Sequence, residues 1–231
     1  MKRSEINTIM RDAEAFMDAM NFKMPPFAAW SPDDWRAAGP EAREIPAGQL
    51  GWDITDFGSG DYAAVGLLMF TIRNGDMAHF GEPGAKAYAE KIMIVEEDQI
   101  TPTHFHWHKM EDIINRGGGD LLIAMWNATE DEQLADTPVT VNIDGVNITV
   151  GAGETVAMAP GSSVCLPPRL YHRFWGAPGK GTVLVGEVSS VDDPRGDNRF
   201  HEEIGRFPQI DEDEAPLHLL QKDYTTYYPH A

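Results

Sequence analysis

Apolar residues follow a helical spacing only near the start of the chain. Over residues 4–20 they recur at intervals of three and four, the pattern of one buried face of an amphipathic helix. The Pro25-Pro26 pair ends that pattern. Ser31, followed by proline and two acidic residues, predicts the start of a second helix, and Gly39 predicts its end. We therefore expect helices within residues 1–47.

From residue 48 the pattern changes to short segments rich in valine, isoleucine, threonine and aromatic residues, separated by turn residues. The predicted strands cover residues 52–57, 63–73, 91–96, 100–107, 111–116, 121–126, 139–143, 146–150, 154–158, 172–175 and 183–189. Asp144-Gly145 predicts a type I′ hairpin, and Asn74-Gly75 predicts a second hairpin. Because no helical segment separates these strands, the pattern predicts an all-β fold, either an antiparallel sandwich or a barrel such as a jelly roll.

The length and composition are those of one globular domain. The chain has 231 residues, of which 42% are hydrophobic, enough for a sizeable core. We expect a single domain in which residues 1–47 form a helical N-terminal extension and residues 48–190 form the barrel. Residues 191–231, which are rich in proline, aspartate and aromatic residues, are expected to wrap around that barrel.

The charge balance argues against two classes of partner. With 18 Lys and Arg against 37 Asp and Glu, the net charge is -19, which repels nucleic-acid phosphates and anionic membrane surfaces. No apolar run approaches the ~18 residues of a membrane span. Cys165 is the only cysteine, so the chain forms no internal disulfide, and acidic residues interrupt the first twenty positions, where a secretory signal needs an apolar core. We therefore expect a cytoplasmic protein.

A cluster of histidines gives the first indication of chemistry. His104 and His106 are two residues apart in a predicted strand, so their side chains share one face, about 7 Å apart at ~3.3 Å per residue. His108 shares that face. Glu111 has the opposite parity and reaches the same place only if the chain bends at Lys109-Met110. Imidazoles and a carboxylate brought together in this way form a candidate site for a divalent metal ion.

The spacing of these residues resembles the two sequence motifs of the cupin superfamily. The HxH pair is followed after four residues by Glu111 and after six more by Gly118, and Gly161 precedes a proline and His172 at the spacing of the second motif. Three positions depart from the motifs, namely Asp98, Arg169 and Gly176. The resemblance implies a cupin-type jelly-roll β-barrel with four metal ligands: His104, His106, Glu111 and His172. Such a donor set suits Mn, Fe, Co, Ni or Zn and leaves two positions open on an octahedral ion.

Two further segments narrow the resemblance. The stretch EKIMIVEEDQITPTHFHWHKMEDIINRGGG and the segment TIRNG at residues 71–75 are similar to the D-lyxose ketol-isomerase family, and the similarity extends over nearly the whole chain. The resemblance implies an enzyme that interconverts D-lyxose and D-xylulose, and also D-mannose and D-fructose, by proton transfer between C1 and C2 through a metal-stabilised enediol. It also implies a homodimer that uses Mn²⁺, with Co²⁺, Fe²⁺, Ni²⁺ or Zn²⁺ as alternatives.

The proton transfer needs an acid and a base near the ion. Lys109 shares the parity of Glu111, and desolvation beside an ion would lower its pKa; alternatively it is a solvated lysine at a bend. For the carboxylate we choose Glu203 over Glu202, because alternation places Glu203 on the face of His201. An exposed pair of acids is the alternative.

Aromatic and charged residues near the motifs are candidates for contacts with a sugar, through aromatic packing on C–H faces and hydrogen bonds to hydroxyl groups. The same residues serve equally well as core filler and surface charge. The candidate substrate-binding residues are Arg73, Trp107, Arg173 and Glu202.

Two other functions fit the same ligand set. An iron-dependent dioxygenase could use the open positions for oxygen and an organic acid, and a non-catalytic sugar-binding protein could use the ion only to anchor its ligand. The residues themselves do not separate these from an isomerase.

Overall fold

The structure is a computed structural model that describes residues 1–194, 196–205 and 208–231. Within them, α-helices lie only towards the two ends of the chain: α1 (Arg3–Ala19), α2 (Pro32–Ala37), α3 (Glu44–Ala47) and α4 (Tyr224–Tyr227). α1 is the predicted amphipathic helix, and its apolar face is buried against the strands. α2 begins after Ser31, whose hydroxyl accepts a hydrogen bond from Asp34 N, as an N-cap does. No helix in the described residues is long and apolar enough to cross a membrane.

The strands form two antiparallel sheets, which confirms the predicted all-β fold with N-terminal helices. The described strands are β1 (Gly51–Thr55), β2 (Leu67–Arg73), β3 (Tyr88–Val95), β4 (Thr101–His106), β5 (Glu111–Gly118), β6 (Leu121–Asn127), β7 (Val139–Ile143), β8 (Val146–Val150), β9 (Thr155–Met158), β10 (Ser163–Leu166), β11 (Leu170–Gly176), β12 (Val183–Ser190) and β13 (Asn198–Phe200). The larger sheet has the order β1-β2-β3-β12-β5-β10-β7-β8, and the smaller has the order β13-β4-β11-β6-β9.

Each predicted strand overlaps an observed one, and two observed strands were not predicted. β13 has only three residues, too few for an alternating pattern, and β10 has four, with alternating burial. β10 pairs with β5 and β7, whereas β13 pairs with β4. β13 therefore brings the C-terminal part of the chain alongside the strand that carries the HxH pair.

The two predicted hairpins have different outcomes. Asp144-Gly145 joins β7 and β8, and its φ angles of 50° and 84° are those of a type I′ turn. The prediction for Asn74-Gly75 is wrong: β2 and β3 do pair, but residues 74–87 connect them. Asn74 is instead a buried anchor, because its side chain accepts from Asp192 N (3.0 Å) and donates to Asp192 O (2.9 Å).

The interior between the sheets changes from apolar to charged along the strands. Apolar side chains of both sheets form one buried cluster. On each of three strands, a buried apolar residue lies two positions from a buried charged residue. The pairs are Met93 and Lys91 on β3, Val185 and Glu187 on β12, and Ile113 and Glu111 on β5. Alternation along a strand keeps all of these side chains on one face. One end of the barrel is thus a core and the other end is a polar cavity.

The C-terminal segment returns to the N-terminal helix and to the edge of the larger sheet. Arg3 is almost fully buried between Glu212 (2.7 Å) and Asp223 (3.0 Å). The Tyr224 hydroxyl donates to Leu50 O (2.8 Å) and fills the space beside Gly51. Gly51 has φ of 105°, and a Cβ there would lie 2.0 Å from the Tyr224 hydroxyl, so only glycine fits. These contacts hold the tail against α1 and against the start of β1.

Candidate active site

Three histidines from two adjacent strands meet inside the polar cavity. His104 and His106 point inward from β4 because they are two residues apart, and His172 on β11 lies opposite His104 in the antiparallel register. One ring nitrogen of each lies within 4.8 Å of the others. All three side chains are buried. The spacing of the HxH pair and the pairing of β4 with β11 together produce this cluster.

Glu111 joins the cluster from the start of β5. β4 ends at His106 and the chain bends before β5, so the change of parity required by the sequence does occur. Glu111 Oε1 lies 3.2 Å from His106 Nε2 and 3.2 Å from His172 Nε2. The four residues predicted as metal ligands are therefore next to one another.

The bend is held by a residue that the sequence did not reveal. The buried carboxylate of Asp197 accepts hydrogen bonds from His108 N and Lys109 N, each at 2.8 Å. Its own carbonyl accepts from Trp107 N at 3.2 Å. Asp197 thus fixes the connection between the strand with the HxH pair and the strand with Glu111.

We expect Asp197→Ala to weaken metal binding and slow turnover, because the bend that orients Glu111 and Lys109 loses both of its carboxylate hydrogen bonds. An effect of about 10- to 100-fold on metal affinity is typical for residues that orient ligands. Glu97→Ala is the matched control: Glu97 also accepts two backbone hydrogen bonds, from Gly179 (2.8 Å) and Gly181 (2.6 Å), but does not line the cavity. Equal metal affinities for the two variants would contradict this role.

The donor atoms fit a divalent ion. His104 Nδ1 lies 2.7 Å from Pro102 O and His172 Nδ1 lies 3.1 Å from Leu170 O. A carbonyl oxygen only accepts, so both Nδ1 atoms carry the proton and both Nε2 atoms present a lone pair. Among the described residues, the buried His172 Nε2 and Glu111 Oε1 have no hydrogen-bond partner. Unpaired lone pairs in a buried site are costly, and a cation would satisfy them.

The charges of the site favour the protonation state that metal binding needs. Burial lowers the pKa of His104 well below its ordinary value, and the neighbouring His172 and His106 lower it further. Burial alone would raise the pKa of Glu111, but His106 and Lys109 outweigh it and hold that pKa well below its ordinary value. The site therefore presents a neutral His104 and an ionised Glu111 at neutral pH.

Lys109 lies beside this cluster in a network of buried charges. Its ammonium is 2.8 Å from Glu111 Oε2, 2.8 Å from Glu187 Oε1 and 3.3 Å from Asp192 Oδ1. The sequence led us to expect a lowered pKa for Lys109. Burial does act in that direction, but the three carboxylates outweigh it and raise the pKa well above its ordinary value. With the charges of the protein alone, Lys109 remains protonated.

A second buried lysine completes the network. Lys91 Nζ lies 2.7 Å from Asp192 Oδ1 and 3.3 Å from Glu187 Oε1. Glu187 on β12 is opposite Lys91 on β3, which is opposite Thr71 on β2, so these polar side chains form a row across the larger sheet. Sequence reasoning missed Lys91, Glu187 and Asp192. The available signal was a charged residue at an inward position of an otherwise apolar strand, as in KIMIV and VLVGEV.

These groups line a cavity of about 100 Å³ between the two sheets. Further polar residues that line it come from the segment just before β1, from β1, β2 and β13, and from the C-terminal tail: Gln49, Asp53, Thr55, Thr71, Asn198 and Gln221. Phe200 on β13 also lines it, with its ring 5.3 Å from that of His104. Apolar side chains such as Met69, Met93 and Phe174 line it too, so the cavity is a chamber of mixed polar and apolar lining with the candidate metal ligands in its wall.

The structure places the predicted sugar contacts on β2, just after β4 and on β11, and none of them lines this chamber. Arg73 is half-exposed and pairs with Glu90 at 3.0 Å. Trp107 packs against Phe105 and Arg169, and Arg173 lies over Trp126 and Trp175. The guanidinium carbon of Arg173 lies 5.5 Å from the centre of the Trp126 ring and 5.4 Å from the centre of the Trp175 ring. Within the described chain, Arg73, Trp107 and Arg173 do not line the cavity.

The carboxylates predicted in the C-terminal region do not line the chamber either. Glu202 and Glu203 are exposed in the loop that follows β13, and neither lines the cavity as described. The alternation used to choose Glu203 does not hold there, because the strand ends at Phe200. The structure instead brings Glu187 to Lys109.

The two antiparallel sheets, with three histidines and a glutamate in the chamber between them, define a cupin-type barrel with a candidate metal centre. The model of the D-lyxose isomerase family matches residues 1–224, and the chain belongs to that family. A D-lyxose/D-mannose isomerase of Serratia proteamaculans is 48% identical over 228 residues, which are 98% of this chain and 99% of that protein. One of Escherichia coli O157:H7 is also 48% identical over 98% of this chain and 100% of its own length.

Solved structures share the fold at low sequence identity. L-ribose isomerase of Cellulomonas parahominis without ligand has a TM-score of 0.61 and 18% identity, covering 91% of this chain and 98% of that one. L-ribose isomerase of Geodermatophilus obscurus has a TM-score of 0.56 and 17% identity, covering 87% and 92%. The predicted fold class and family are thus confirmed, and with the family the enzyme class, an aldose–ketose isomerase.

Proposed function

We propose that the chain is a metal-dependent isomerase that interconverts D-lyxose and D-xylulose, and also D-mannose and D-fructose. The observation that carries the proposal is the buried donor set of His104, His106, Glu111 and His172, with unpaired lone pairs directed into the chamber. The choice of sugars is supported by relatives named D-lyxose/D-mannose isomerase that match 98% of the chain at 48% identity.

We propose Mn²⁺ as the ion, with Co²⁺, Fe²⁺, Ni²⁺ and Zn²⁺ as alternatives. Three imidazoles and one carboxylate accept all of these ions, so availability would decide among them. A divalent ion held by the four side chains would polarise the carbonyl group of an open-chain sugar and acidify the adjacent C–H bond.

Lys109 and a carboxylate divide the proton transfers in this proposal. The ammonium of Lys109, kept protonated by three carboxylates, is suited to donate a hydrogen bond or a proton to a sugar oxygen. We propose Glu187 as the base that moves the proton between C1 and C2, since one base above adjacent carbons serves both. In the described residues both salt bridges of Glu187 are made by Oε1, so we assign the transfer to Oε2. Glu203 stays the sequence-based alternative.

The deciding experiment is an anaerobic incubation of purified protein with Mn²⁺ and D-lyxose. We expect D-xylulose to form without oxygen. Consumption of oxygen, tested in a parallel aerobic reaction, would favour the dioxygenase. Binding of the sugar without turnover would favour a non-catalytic sugar-binding protein.

Chelation and acid are both expected to remove activity. EDTA should abolish turnover and Mn²⁺ should restore it. His104 binds metal when neutral, and its lowered pKa keeps it neutral even at pH values below the ordinary imidazole value of ~6.5. We therefore expect metal retention to be steady near neutral pH and to fall, with turnover, as the pH drops below about 6, where protons compete with the ion. The metal content and rate are measured on the same samples, and turnover by the metal-free protein would contradict a direct role for the ion.

We also propose that the 231 residues work as one domain, that the protein is a homodimer and that it is cytoplasmic. The first is supported by the C-terminal tail, which supplies part of the cavity wall. The homodimer is supported by the family resemblance of the sequence, and light scattering would give the mass. The location is supported by a fold that contains no disulfide, since Cys165 is the only cysteine.

A further inference from the structure

The cavity lined by the candidate metal ligands adjoins a second, larger cavity. This vestibule, of about 550 Å³, is lined by α3 with its flanking residues and by residues 221–231 at the C-terminal end of the chain. Four residues line both spaces, namely Gln49, Asp53, Pro194 and Gln221. We take these four residues, which the two linings share, as the constriction between the vestibule and the chamber.

Gln221 is the constriction residue whose side chain bridges the tail and the sheet. Its Nε2 donates to Gln49 O at 2.6 Å and lies 3.4 Å from Thr71 Oγ1. Through Thr71 it extends the polar row that runs from Glu187 to Lys91 across the sheet. Neighbouring strands are ~4.8 Å apart, so β2 lies about 14 Å from β5, the strand with Glu111. Gln221 therefore lies at the far end of the chamber from the metal ligands.

The other polar atom of Gln221 is available to a ligand. Within the described chain, no hydrogen bond involves Gln221 Oε1, whereas Nε2 has two neighbours. An amide held by its nitrogen has a fixed orientation, so its oxygen is a positioned acceptor for a hydroxyl group. A sugar with C1 and C2 at the metal ligands would place its last carbon towards this oxygen.

We infer that Gln221 determines specificity for the length of the sugar by accepting a hydrogen bond from the terminal hydroxyl of a six-carbon substrate. A five-carbon substrate ends one carbon earlier and leaves that hydrogen bond unmade. The inference rests on the proposed function, because it assumes that aldoses of both lengths bind with the carbonyl end at the metal ligands. Gln221 is thus a discriminating contact and takes no part in the proton transfer.

The test compares one variant on two sugars. Gln221→Met keeps the length of the side chain, and so the width of the constriction, but removes the acceptor Oε1 together with the Nε2 donor that bonds Gln49 O. We expect kcat/KM for D-mannose to fall about 3- to 10-fold, the loss typical of one hydrogen bond, and kcat/KM for D-lyxose to change less than about twofold. The matched control is Gln209→Met, an exposed glutamine of the same C-terminal segment, which should leave both values unchanged.

The outcomes separate this inference from the proposed function. Equal losses on the two sugars or no loss on either would overturn the role of Gln221 while an isomerase remains. So would a wild-type protein that converts only the pentose. Wild-type protein that converts neither sugar would overturn the proposed function itself. Metal content measured for each variant shows whether a displaced tail has disturbed the metal ligands, in which case both sugars lose equally and the inference fails.

Discussion

His172→Ala is expected to abolish metal retention and turnover together while leaving the protein folded. His172 Nε2 is buried, has no hydrogen-bond partner in the described chain and lies 3.2 Å from Glu111 Oε1. Alanine removes one of four donors and offers none in return. Loss of a residue that only hydrogen-bonds to a metal ligand typically lowers metal affinity about 10- to 100-fold, and the loss of a ligand itself should exceed that. Elemental analysis after dialysis against Mn²⁺, beside far-ultraviolet circular dichroism, measures both parts of this expectation.

The same result is expected for the other three donors, His104, His106 and Glu111, each replaced by alanine. His108→Ala is the matched control, since His108 follows His106 by two residues but is exposed. It should keep its metal. The apolar cluster between the sheets contains none of the four donors, so the fold does not depend on the ion for its core. Full metal occupancy in the four variants would falsify the metal site.

The all-β fold and the convergence of His104, His106 and Glu111 could be predicted because they depend on local pattern, whereas His172 came from the resemblance to the cupin motifs. Alternation along β4 fixes the face shared by His104 and His106, and the type I′ turn at Asp144-Gly145 fixes a hairpin without tertiary information. The change of parity before Glu111 required a bend, and the bend is there. In each case the physical constraint operates over a few residues of chain.

The charged network was beyond such reasoning because it depends on strand order. Lys91 and Glu187 are 96 positions apart in sequence and become neighbours because β12 inserts between β3 and β5. No periodicity along either strand contains that order. Alternation could, however, have excluded Arg173 and Trp107 from the cavity. Each directly follows a histidine that faces the cavity, so its side chain belongs to the opposite face of the strand.

Glu187→Gln is expected to lower kcat by about 10²- to 10⁴-fold while the metal content stays unchanged, the range for loss of general base catalysis. Glutamine keeps the shape of the side chain but removes the proton acceptor. Glu203→Gln is the matched substitution on the exposed loop after β13, and we expect it to be nearly silent. A normal kcat for Glu187→Gln together with a loss in Glu203→Gln would return the base to the residue first chosen from the sequence.

Lys109→Met should lower kcat over the same range, because the ammonium that contacts Glu187 at 2.8 Å is the proposed proton donor to the sugar. The double variant with Glu187→Gln should lose less than the product of the two single losses, since groups that act in one proton transfer fail as a unit. Product formed in D₂O by the wild type should carry deuterium if Glu187 exchanges its proton with solvent between removal and return. Complete retention of the original hydrogen, with additive losses in the double variant, would instead favour a hydride shift and leave Glu187 as a residue that only holds Lys109 in position.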